Sequence, residues 1–213
     1  MNENLTDTAL QLIRWINAKA IDGVPPLSSA ESLAREYLLD LRYSDDGKRI
    51  ESLIQWEATK NFTTAFVTGL GGALVMPVSL PAQFGVSWVV QARLSAAIAR
   101  ICGFDLGSER VRTLVVGCLV GDGIAEMLAD TGLKAGSGQN RSRFREISGE
   151  MLIEMKKNIG AMLLRKAGQK GVEKLARGVP LVGGVVGAAF DAGDCRAAGK
   201  NAKALFYTSG ETP

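Results

Sequence analysis

Between Asn61 and Ala92 the chain carries no charged side chain: NFTTAFVTGLGGALVMPVSLPAQFGVSWVVQA. A helix that spans a bilayer needs about 20 apolar residues, and this run is longer. Pro77 and Pro81 interrupt it, because proline starts a helix but cannot continue one. Gly69, Gly71 and Gly72 crowd its first half and supply the backbone freedom of a helix end. The run therefore reads as a broken apolar hairpin, suited to a protein core or, after rearrangement, to a membrane.

The rest of the chain sets this hairpin among helices. With 213 residues there is enough sequence for a sizeable core, and the mean hydropathy of +0.10 is high for a chain of this size. Leu5, Ala9, Leu12, Ile13, Ile16 and Ala20 recur at helical spacing, with Asn4 as the expected cap. After Pro25 and Pro26, Ser28 and Glu31 form an expected capping box. Leu33, Tyr37, Leu38 and Leu41 give the helix that follows an apolar face. A third helix starts at Ser44-Asp45-Asp46 and carries Ile50, Leu53, Ile54 and Ala58. Leu80 to Cys102 is helical again, Phe104 to Gly107 is a turn, and Ser108 caps the next helix.

Gly117 and Gly121 lie four residues apart in that helix, as do Gly183 and Gly187 near the C-terminus. Small residues at this spacing let helices approach closely. From Arg141 a charged amphipathic helix is expected, with Phe144, Ile147, Met151, Met155, Ile159 and Met162 facing inward. No sustained period-two alternation marks a strand. The expected fold class is all-α, a compact multi-helix bundle with glycine-rich apolar helices and no significant sheet. Its expected organisation is a pair of N-terminal amphipathic helices over residues 1–45 and a helical domain over 46–213.

Charge is unevenly spread. Residues 1–60 hold 7 basic and 10 acidic groups, whereas residues 134–177 hold 11 basic and 4 acidic ones. A basic segment of this kind attracts phosphates, whether of lipid headgroups or nucleotides, unless it is simply a solvated face. Arg141, Arg143, Arg145, Lys156 and Lys157 are its candidate ligand contacts. The chain has no histidine, which removes Ser/His/Asp and Cys/His catalysis and the commonest metal ligand. No cofactor and no metal site are expected. The three cysteines, Cys102, Cys118 and Cys195, lack metal-ligand spacing and read as buried free thiols, in keeping with a reducing compartment. Gly69-Leu70-Gly71-Gly72 lacks the strand and lysine of a phosphate loop. Asp122 and Glu126, or Asp191 and Asp194, are spaced to pair as acid and base but serve equally well as solvent-facing or ion-paired carboxylates. No enzyme site is expected. The polar, acidic N-terminus is not that of a signal peptide.

Three blocks together resemble the EcsC protein family. They are GLGGALVMPVSLPAQF, QARLSAAIARICGFDL and VPLVGGVVGAAFDAGDCRAAGKNAKALF, in this order, and the resemblance covers roughly residues 50–207. It implies a mostly helical protein of the cytoplasm that associates with or inserts into the inner membrane, without an accepted catalytic site. The short chain is similar to the Hailong-type branch. There an EcsC-like channel effector of anti-phage defence is controlled by an oligonucleotide made by a partner nucleotidyltransferase. The resemblance thus implies membrane lipid and an oligonucleotide ligand as partners, and self-association into a homo-oligomer is expected. A different class stays open beside it: a non-catalytic peripheral accessory protein of a transport or secretion system, docked on lipid or on a transporter through the same basic face.

Overall fold

The computed structural model describes residues 3–25, 27–60, 82–121, 123, 144–176 and 184–208. Among them the protein is all-α. Seven α-helices are described: α1 (Glu3–Asp22), α2 (Ala30–Leu38), α3 (Asp46–Lys60), α4 (Ala82–Ile101), α5 (Glu109–Gly117), α6 (Gly149–Ala176) and α7 (Gly184–Phe206). A single 3-10 turn, Cys118–Val120, extends α5.

α4 is the axis of the bundle. Every residue from Gly85 to Ala99 is buried, because the helix is wrapped by α7, α2, α1 and α3 and met at its end by α5. A helix that is apolar nearly all round belongs in such a position, whereas its neighbours need only one apolar stripe. α1 supplies one with Ala9, Leu12, Ile13, Ile16 and Ala20, all buried as their spacing predicts. α3 supplies another with Ile50, Leu53, Ile54 and Ala58. Phe104, Phe144 and Phe206 form a ring cluster with centroids 5.1–5.8 Å apart, and this ties the turn after α4 to the end of α7.

Several local expectations are corrected. α1 already includes Asn4, which therefore does not cap it. The cap of α2 is Ser29, whose Oγ accepts from the Ser32 amide at 3.0 Å. Ser28 is instead drawn to Arg93, and Glu31 accepts two hydrogen bonds from Arg100 Nε. α2 ends at Leu38, so Leu38 and Leu41 are exposed and only Leu33 and Tyr37 face the core. Ser108 holds the cap position of α5 without a side-chain hydrogen bond.

The Gly117–Gly121 pair is no helix-packing groove. The α-helix stops at Gly117, and Gly121 ends the segment in a left-handed conformation (φ +71°) that a side chain would strain. The freed carbonyls there are taken up by other helices. Asn201 Nδ2 donates to Cys118 O at 3.0 Å and Lys166 Nζ to Leu119 O at 3.2 Å. The close helix approaches occur elsewhere. A Cβ on Gly160 of α6 would lie 2.5 Å from Ala9 Cβ and 2.9 Å from its backbone, and one on Gly199 of α7 would lie 2.7 Å from Ile54.

The amphipathic segment also divides. Phe144 and Ile147 are buried, yet α6 starts only at Gly149, where Ser148 caps it by accepting from the Met151 amide. Met155 and Ile159 are buried, and Met151 and Met162 partly so. Cys102, Cys118 and Cys195 are buried free thiols. Gly187 lies in α7. Gly69, Gly71, Gly72, Pro77, Pro81, Gly183, Asp122 and Glu126 lie outside the described residues.

Candidate functional site

Two polar features interrupt the apolar packing. One is buried. Arg93, the first charge after the neutral run, sits in the middle of α4 with a side chain only 6 % exposed. Its Nη1 donates to Glu57 Oε2 of α3 at 2.8 Å. Nε donates to Ser28 O at 2.6 Å, and Nη2 to Ser28 Oγ at 2.8 Å. A buried guanidinium is tolerable only when its donors are paired. Here the pairing fastens α4 to α3 and to the start of α2. Nearby, burial and the Glu57 charge raise the Tyr37 hydroxyl above its ordinary pKa.

On the same helix Ser87, Gln91 and Ser95 make a polar stripe at four-residue spacing. Gln91 Nε2 donates to Ser87 Oγ at 2.8 Å and Ser95 Oγ to the Gln91 backbone carbonyl at 3.0 Å, while Gln91 Oε1 is buried without a partner among the described residues. Close to this stripe, burial pushes the Cys118 thiol up to about 12.

The second feature is a surface groove of about 200 Å³. α1 lines it with Arg14, Asn17, Ala18, Ile21 and Asp22, the helix face beside its apolar stripe. α5 adds Glu109, Arg112 and Thr113, and α6 adds Lys156. Lys156 lies low in it, 17 % exposed against 70 % for its partner Glu109. The Lys156 ammonium donates to Glu109 Oε1. With Arg110 and Arg14 it holds the Glu109 carboxyl below the usual carboxylate range, the Lys156 hydrogen bond being the main cause. Arg112 is fixed by donating from Nε to Leu106 O at 2.6 Å. A wider depression of about 470 Å³ adjoins, sharing Ile21 and Arg112 and lined also by Glu31, Arg100 and Asp105. Three cations, Arg14, Arg112 and Lys156, line the groove against two carboxylates, Asp22 and Glu109, so its excess charge is positive and favours an anion.

The model of the EcsC protein family matches residues 2–208. The chain belongs to that family. The match takes in α1 and α2 as well as the three sequence blocks, so the helices that cover α4 and line the groove are part of the EcsC unit. No curated protein and no solved structure matches the chain.

Of Arg145, Lys156 and Lys157, the described members of the basic set singled out from this EcsC sequence, Lys156 reaches the groove. Lys157 is half-buried on α6, and Arg145 is exposed in the helical segment before it; neither lines the groove. Arg141 and Arg143 lie outside the described residues. Arg14 and Arg112 were not legible as partners of Lys156, since they come from segments of unremarkable charge. Asp194 pairs with Lys166 of α6 at 3.7 Å. Among the described residues no helix is long and apolar enough to cross a membrane, and no cluster of three potential metal ligands occurs.

Proposed function

We propose that this EcsC protein is a non-catalytic, membrane-associated effector of bacterial anti-phage defence. At rest it keeps α4, the end of the charge-free run, covered; when released, it opens a channel or pore. An oligonucleotide-type ligand from a partner nucleotidyltransferase biases the balance between the two states. The observation that carries this reading is the burial of α4 from Gly85 to Ala99, in the helix that continues the charge-free run. Seven of its large apolar side chains are buried: Val86, Trp88, Val89, Val90, Leu94, Ile98 and Ile101. At roughly 1.5–3 kcal/mol each, exposing them to water costs on the order of 10–20 kcal/mol. That exceeds the total stability of many domains, about 5–15 kcal/mol. The bundle therefore does not open into water. It opens only where lipid or further copies of the chain receive the apolar surface, which is the behaviour required of an effector that is silent until it meets a membrane. A ligand shifts such a balance by binding one state better than the other.

A second reading is a peripheral accessory protein that never opens. It is favoured by the absence, among the described residues, of a helix able to span a bilayer. Membrane potential in bacteria expressing the chain alone, followed with a voltage-sensitive dye, separates the two. Depolarisation supports the effector. Intact potential at confirmed expression, together with lipid binding that high salt removes, supports the accessory role and refutes the channel.

A further inference from the structure

We propose that the groove lined by α1, α5 and α6 is a phosphate-binding site, and that Glu109 occupies it as an internal competitor in the unliganded protein. The proposal rests on the reading above only for what binding would control; binding itself is independent of any channel.

The groove gathers Arg14 from α1, Arg112 from α5 and Lys156 from α6. Guanidinium and ammonium groups converging from three elements match the oxygens of a phosphate better than those of a planar carboxylate. One end of the site is prepared: Arg112, which lines the groove, is anchored through Nε to Leu106 O. Asn17 is only 8 % exposed and lines the same groove, and its Oδ1 is buried with no hydrogen-bond partner among the described residues. An unmade hydrogen bond of this kind is costly in a purely structural residue. The amide torsion is broad, so Asn17 can turn either its acceptor or its donor to a ligand.

Glu109 is the group a phosphate would displace. It is largely exposed, so its carboxylate can swing into water once Lys156 is taken. The volume suits one phosphate group; sites for whole drug-sized ligands are larger, roughly 300–1,000 Å³. The remainder of a larger ligand has the adjoining depression, whose carboxylates, Asp105 and the Arg100-paired Glu31, would offer acceptors to hydroxyl or amino groups. The ligand class is accordingly a phosphate ester with a donor-rich body, supplied either as a free nucleotide or as a lipid headgroup.

The test uses the full-length protein at constant ionic strength, with calorimetric titration of inorganic phosphate and of 5′-AMP. Glu109→Gln should tighten both by about fivefold and Arg14→Gln should weaken both by about fivefold, the size of one partly exposed ion pair. Glu51→Gln, at the remote exposed pair with Lys203, should change neither. Arg14 and Glu109 are both exposed, so circular dichroism should show all three variants folded. 5′-AMP tighter than phosphate assigns a free nucleotide. Flotation with phosphatidylglycerol vesicles that Arg14→Gln abolishes, without AMP binding, assigns a headgroup. Equal affinities for wild type, Glu109→Gln and Arg14→Gln, or no saturable binding of phosphate, AMP or vesicles by wild type and Glu109→Gln, overturn the proposal.

Discussion

Replacing Arg93 by methionine removes the charge at the centre of α4 while keeping an unbranched side chain of similar length. Three charge-assisted hydrogen bonds go with it, at 2.6, 2.8 and 2.8 Å. Glu57, with a side chain 2 % exposed, loses its cationic partner where water cannot replace it. Breaking a buried ion pair from one side costs about 3–5 kcal/mol, a large part of a stability of about 5–15 kcal/mol. With a urea slope of about 2 kcal/mol per molar, the unfolding midpoint should fall by about 2 M. Glu57→Gln should cost less, because Arg93 keeps both Ser28 contacts. The double change Arg93→Met with Glu57→Leu removes both charges and fills the space with apolar atoms. It should lie within about 1–2 kcal/mol of wild type or above it, since well-packed apolar replacements of buried pairs are often neutral or stabilising. Urea titrations followed by far-UV circular dichroism and by tryptophan fluorescence (Trp88 is buried on α4) measure all four proteins. An Arg93→Met midpoint within about 0.3 M of wild type, or a double variant less stable than Arg93→Met, would refute the account of this pair as a desolvated structural clamp.

Other outcomes follow from the same structure. Gly160→Ala forces a methyl against the Ala9 backbone and should cost about 1–3 kcal/mol; Gly199→Ala meets side-chain atoms of Ile54 and Leu94 rather than backbone and should cost less, a ranking that thermal melts can check. Cys118 keeps its proton in the folded protein up to about pH 12, against 9.0 ordinarily. The unfolded chain therefore releases that proton first, and the thiol's contribution, complete below pH 9, should fall as pH rises towards 12 by up to about 1.4 kcal/mol per pH unit. Tyr37, also raised by burial, acts with the same sign above pH 10. Cys118→Ala should flatten the alkaline limb of a stability–pH curve, and an unchanged limb would remove the thiol as its cause. Leu41→Ser, at a side chain 96 % exposed, should shift the urea midpoint by no more than about 0.5 kcal/mol equivalent.

Helical periodicity is a local property, and it was legible. The inward residues of α1 and α3, the charge-free first half of α4 and the burial of the three thiols follow from composition and spacing alone. So does the family, through three blocks of small-residue helix. Glycine spacing misled, because the same four-residue interval marks a packing face or a helix end. Only the path of the backbone after Cys118 shows that Gly121 is an end. The glycines that do allow close approach, Gly160 and Gly199, have no paired glycine to announce them; the other half of each contact is Ala9 or Ile54, far away in the chain. Capping failed similarly at Ser28, because a guanidinium 65 residues away competes for it. The pairing of Arg93 with Glu57 and the meeting of Arg14, Arg112 and Lys156 are facts of helix crossing. Sequence determined which faces must be buried, since burial depends on each residue's own chemistry. Tertiary structure decided which charges meet, since that depends on the relative placement of helices that no local pattern encodes.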